Sequence, residues 1–121
     1  MTTLSAAEYR AAVGKSRRHK YGAKRYTSHD GISHPSVKQG KRWEELLLMQ
    51  KAGAIERLRR EVRYALMVNG TTVGHYVADH VYIDGCEPIV EDVKSDATAT
   101  ALFRWKAKHF KAQYGIEIRI V

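Results

Sequence analysis

Two neighbouring stretches carry charges where apolar runs would be expected: VADHVYIDG places Asp79 among aliphatic residues, and EPIVEDVKS carries Asp92-Val93-Lys94 just before its final serine. In extended chain, side chains alternate between faces, so Val77, Asp79 and Val81 share one face of the first run; Val90, Asp92 and Lys94 share one face of the second. An ionised carboxylate among apolar neighbours is costly unless it is paired. Asp79, Asp92 and Lys94 would therefore need each other, water or a metal. Two carboxylates offer hard oxygen ligands suited to Mg²⁺, which keeps waters and substrate phosphate in its remaining positions. A metal-bound water beside a lysine is a device for cleaving phosphodiesters. The same residues also fit a plainer reading, with Asp92 and Lys94 as a same-face ion pair and Asp79 ending its strand.

The surrounding sequence specifies the elements that would hold these groups. SAAEYRAAV, residues 5 to 13, opens with a Ser-x-x-Glu capping box and predicts a short peripheral helix. KRYTSHDGISH predicts a small hairpin turning at Asp30-Gly31. Ser36 with Gln39 makes a second capping box. Trp43, Leu46, Leu47 and Gln50 then recur at helical spacing, and Gly53 ends a helix over about 36–52. Segments at about 57–68, 74–83 and 88–94, separated by Asn69-Gly70 and Asp84-Gly85, predict an antiparallel meander. A helix over about 98–114 follows, with Leu102, Trp105, His109 or Phe110, and Gln113 on one stripe, and IEIRIV alternates as a closing strand. The fold class is α/β (α+β): helix, three-stranded meander, helix and strand, forming a mixed sheet flanked by helices. Residues 1–23 are expected to form a short N-terminal helix and basic arm, and 24–121 the main domain.

A chain of 121 residues, 44% hydrophobic, has material for one modest core. Its formal net charge of +8 is concentrated in three clusters. These are Lys15, Arg17, Arg18, Lys20, Lys24 and Arg25; Arg57, Arg59, Arg60 and Arg63; and Arg104, Lys106, Lys108 and Lys111. Clustered cations favour a nucleic acid as partner, although any single cluster also reads as a solvated face. No apolar stretch approaches the roughly 20 residues of a spanning helix, and no signal-peptide pattern opens the chain. The single Cys86 forms no internal disulfide and fits a reducing compartment.

This order of elements, with an acid in the second strand and D-x-K in the third, resembles the PD-(D/E)xK nuclease superfamily and its restriction-endonuclease-like core. More closely, KYGAKRYTSHDGISHPSVKQGKRWEELLLMQKAGAI, YVADHVYIDG, VEDVKS and KAKHFKAQYGIEIRIV resemble small, largely phage- and prophage-encoded endonucleases of Holliday-junction-resolvase type. The resemblance covers about residues 20 to 121. It implies a DNA endonuclease acting on branched or structured DNA with Mg²⁺ or Mn²⁺, as a homodimer in the cytoplasm of a bacterial host. It implies Asp79, Asp92 and Val93 as metal-holding residues, and Lys94 as the group that positions or activates the attacking water. Lys108 on the last helix would contact the scissile phosphate. DNA would be held by Lys15, Arg17, Arg18, Lys20, Lys24, Arg25, Lys38, Lys106 and Lys108.

Two departures from the family pattern stand out. Ala78 replaces an often absent proline. Gln39 takes the place of a first-helix glutamate and joins the catalytic group as a neutral amide, which can orient water but brings no charge. Glu44 and Glu45 lie off its helix face, at about 100° per residue, and do not replace it. Gln39 therefore also supports an alternative, a non-catalytic DNA-binding recombination or packaging accessory protein that retains the fold. Glu91 faces away from Asp92 and is expected to pair with a helix residue. His29 and His34 read as polar residues flanking a turn, His75 and His80 lie on opposite strand faces, and Trp43, Trp105 and Phe110 read as core.

Overall fold

The computed structural model describes residues 24–95 and 99–121. The helix predicted over residues 5–13, the arm residues Lys15, Arg17, Arg18 and Lys20, and the first residue of the last predicted helix lie outside them. In chain order the elements are β1 (Tyr26–Thr27), β2 (Ser33–His34), α1 (Val37–Lys51), β3 (Glu56–Val68), β4 (Thr71–Asp84), β5 (Glu87–Asp92), α2 (Ala101–Tyr114) and β6 (Arg119–Ile120). β1 and β2 form a small antiparallel sheet. The main sheet has the order β3-β4-β5-β6, antiparallel except for the parallel pair of β5 with β6. This is a mixed α+β architecture, as the hydrophobic periodicity predicted.

Local chemistry accounts for the element ends. Ser36 caps α1 by accepting from the Gln39 amide at 3.1 Å, and Thr100 caps α2 by accepting from the Phe103 amide at 3.1 Å. Asn69 and Gly70, both at positive φ, make the tight β3–β4 turn. Gly40 is required by a close approach, because a Cβ there would overlap the Tyr26 ring. That ring docks the β1–β2 hairpin on α1, with its hydroxyl donating to Glu44 at 2.6 Å.

The core has two parts. Leu66, Tyr76, Val81, Val90, Phe110 and Ile118 pack together on the α2 side, and Leu46, Ile55, Tyr82 and Ile89 pack beneath α1. Strict alternation along β4 fails near Asp79. Tyr76 packs against Phe103 and Phe110 of α2, whereas His80 stacks on Trp43 of α1. Val77, expected to share a buried face with Val81, is 47% exposed. The break coincides with Glu61, which takes φ 52° directly opposite Asp79 in the β3–β4 register. Such a left-handed strand residue bends the ladder and re-aims side chains around it.

Four further expectations are corrected. The inward stripe of α2 is Phe103, Ala107 and Phe110, which leaves Leu102 at 61% and Trp105 at 55% exposure. The predicted stripe is thus rotated around the helix, and Trp105 is not core. His34 is buried, with Nε2 2.9 Å from Ser28 Oγ, rather than simply flanking a turn. The closing strand shortens to Arg119–Ile120, because only these residues pair with β5. β5 itself ends at Asp92, so Lys94 lies just past the strand, where its amide donates to the Val121 carbonyl at 3.2 Å.

Candidate metal and phosphodiester site

The β4–β5 ladder pairs His80 with Glu91 and Val81 with Val90. One step further, the same register brings Asp79 to Asp92, near enough for the Asp79 carboxylate to act on the Asp92 carboxyl. Each is held from a different direction. Gln39 Nε2, in the first turn of α1, donates to Asp79 Oδ1 at 2.9 Å, and the Val93 amide donates to Oδ2 at 2.8 Å. Asp92, 2% exposed, accepts from the Tyr76 hydroxyl at 2.9 Å on Oδ2, with Lys94 Nζ 3.4 Å from the same oxygen. The Lys94 ammonium also sits 4.3 Å from the centroid of Phe103, in the first turn of α2.

The electrostatics follow from this crowding. Burial and the neighbouring Asp79 carboxylate together push the Asp92 carboxyl up to about 7, against the smaller opposing effect of Lys94. Burial, reinforced by Asp92, raises the Tyr76 phenol well above its ordinary range. Both helices present their N-terminal turns here, through Gln39 and Phe103, and neither has an acidic residue in that turn. Their partial positive ends favour anions.

Gln39, Asp79, Asp92, Val93 and Lys94 are thus brought together. Lys38 joins them, donating to the Lys94 carbonyl at 2.8 Å. Lys24 and Arg25 lie on the segment entering the β1–β2 hairpin, where Arg25 Nε donates to Ser33 Oγ at 3.0 Å. Lys106 is half-buried on α2, and Lys108 lines a separate groove beside the β3–β4 turn. Tyr76 was not singled out from the sequence, since nothing in its spacing marks it as an Asp92 partner. Glu61 was likewise missed, whereas Arg60 belongs to the second basic cluster; both line the small pocket shared by His34, Gln39, Asp79 and His80.

Glu91 does face away from this site, as expected. Fully buried, it receives Arg42 Nε at 2.7 Å and Nη2 at 3.0 Å from α1, and the Tyr82 hydroxyl at 2.8 Å, while His80 Nδ1 lies 3.3 Å away. Burial alone would raise its carboxyl, but these contacts prevail and hold it at about 2. It is a fully engaged structural anion. Glu44 and Glu45 are committed elsewhere too, to Tyr26 with His29 and to Arg42.

Among the described residues, no group of three or more His, Cys, Asp or Glu side chains is placed to hold a metal ion. The available set is two opposed carboxylates with a neutral amide alongside. In chemistry it fits a hard divalent cation held by one or two carboxylates.

The fold and site define a small α+β protein with an aspartate pair and a lysine between two helix N-termini. A family model described as "Protein of unknown function (DUF1064)" matches residues 18–120, and the chain belongs to that family. Searches of curated proteins and of solved structures returned no significant match.

Proposed function

We propose that the protein is a Mg²⁺- or Mn²⁺-dependent DNA endonuclease of PD-(D/E)xK type, acting on branched DNA. The observation that carries this reading is the opposition of Asp79 and Asp92 with Lys94 Nζ 3.4 Å from Asp92. Asp79 and Asp92 would hold the ion, which when bound polarises the phosphodiester and acidifies a water. Gln39 and the Val93 amide fix the Asp79 carboxylate, and Tyr76 fixes that of Asp92. Lys94, seated on Phe103, offers an ammonium to the attacking water or to charge developing on phosphate. Lys38 and the two helix N-termini add positive potential where the phosphate would lie. A two-fold homodimer in a bacterial host's cytoplasm would cut both strands of a junction symmetrically. Among the described residues, no helix is long and apolar enough to cross a membrane.

Gln39 favours a second reading, a DNA-binding accessory protein without cleavage, because its amide donates to Asp79 where a third carboxylate would complete the acid cluster. One experiment separates the two. The protein is incubated with linear, supercoiled and four-way-junction DNA, with and without Mn²⁺, and run on native and denaturing gels. Nicking that needs the ion supports the endonuclease. Salt-sensitive shifts with no cleavage at any Mg²⁺ or Mn²⁺ concentration support the accessory protein. Neither shift nor cleavage removes DNA as the substrate.

A further inference from the structure

Trp105 is a large aromatic side chain that the fold leaves 55% exposed. It lies in a groove between α2 and the β3–β4 turn, lined also by Met67, Val68, Asn69, Lys108 and His109. The groove is built rather than incidental. His109 meets the Trp105 ring near edge-on, with centroids 5.6 Å apart and planes at 69°, and its Nε2 lies 2.9 Å from the Met67 carbonyl. Gln113 ties the same strand down, accepting from the Met67 amide at 2.8 Å and donating to the Ala65 carbonyl at 3.1 Å. The indole is thus braced from one side, above apolar Met67 and Val68.

Charge identifies the occupant. α2 contains Arg104, Lys106, Lys108 and Lys111 and no acidic residue. Arg104 turns back to the Ala99 carbonyl at 2.9 Å, and Lys111 lies 3.6 Å from Glu117. Lys108, on the groove itself, makes no ion pair among the described residues. An exposed aromatic face beside a free cation matches a nucleotide whose base is unpaired, because the base stacks while its phosphate meets the ammonium. A paired base offers no free face. A second copy docking here would bring two like-charged helices together.

We propose that this groove stacks an unpaired base of single-stranded or junction DNA on Trp105, with Lys108 at the adjoining phosphate. The proposal rests on the DNA reading above and narrows its substrate class to DNA with unpaired bases. Trp105 is two residues beyond Phe103, about 3 Å along the α2 axis, and Phe103 touches Lys94. Trp105 and Phe103 project from different sides of α2, so the groove is a binding site separate from the aspartate pair.

The test uses the full chain with a labelled single-stranded oligothymidylate, a four-way junction with unpaired thymidines at its branch point and a blunt duplex, in EDTA so that nothing is cut. Binding is read by anisotropy and by tryptophan emission. Trp43 is buried, so quenching reports chiefly on Trp105. The wild type should be quenched by the single strand. Trp105→Ala should weaken single-strand and junction binding roughly tenfold or more while leaving duplex binding nearly unchanged, and Trp105→Phe should retain most of the affinity. Equal affinities for wild type and Trp105→Ala, or equal losses on duplex and single strand, overturn the stacking site alone. A wild-type dimer that Trp105→Ala converts to monomer overturns it in favour of a second copy. A wild type that binds none of the three DNAs overturns the DNA reading as well.

Discussion

Asp79 and Asp92 lie one residue beyond the His80–Glu91 pair on neighbouring antiparallel strands, and they are clamped by Gln39 of α1 on one side and Tyr76, packed against α2, on the other. Neither carboxylate is held by its own strand alone. The geometry of the pair therefore reports on how both helices seat against the sheet.

On the endonuclease reading, Asp79→Asn, Asp92→Asn and Lys94→Gln each remove a group that meets ion, water or phosphate. Each should lower Mn²⁺-dependent nicking by about a hundredfold or more, with junction binding changed only a few-fold. A denaturing gel time course alongside anisotropy checks this. Full cutting by both aspartate variants would refute the assignment.

The raised Asp92 carboxyl has a stability consequence in metal-free protein. Its folded-state value of about 7 lies above that of an unfolded aspartate, so the folded state binds the proton more tightly. The resulting stability is fully present at low pH, below the unfolded value, and is lost as pH rises through about 7. In EDTA, the melting temperature should fall between about pH 4 and pH 7, and Asp92→Asn should flatten that fall. Glu91 acts in the opposite sense, its contribution being lost as pH drops toward about 2. Thermal melts across pH in both proteins separate the two limbs.

Gln39→Glu would place a third carboxylate against Asp79. Without metal, this replaces a hydrogen-bond donor by a like charge and should cost about 1–3 kcal/mol. With Mn²⁺ the added oxygen ligand should more than recover the loss. The expected signature is a lower melting temperature in EDTA and a larger upward shift on adding Mn²⁺ than in wild type. An unchanged Mn²⁺ shift would argue against ion binding at this place.

Arg42→Ala tests the other buried acid. It strands Glu91, fully buried, without its guanidinium, and should destabilise the fold by about 3 kcal/mol in urea melts. Because Glu91 faces away from Asp92, the folded fraction should keep its activity per molecule. A large loss of activity with unchanged stability would instead place Glu91 at the reaction site.

The elements themselves were legible from short-range chemistry. Ser36, Thr100 and Gly115 act on backbone groups within a few residues, and Asn69-Gly70 sets its own turn, so the order of helices and strands follows from local pattern. The alignment of Asp79 with Asp92 was also within reach, because a tight Asp84-Gly85 turn between two regular strands leaves little choice of register. Packing made the remaining decisions. Glu61, beside Asp79, takes a left-handed backbone conformation that glutamate does not announce, and near it the expected sharing of a face by Val77 and Val81 failed. Which way α2 rolls onto the sheet depends on Phe103 meeting Tyr76 and Phe110 meeting Tyr64, residues far earlier in the chain. That roll left Trp105 outside, which no periodicity within the helix could establish. Spacing along a chain constrains neighbours, whereas the choice between two similar apolar stripes is made by the surface each one meets.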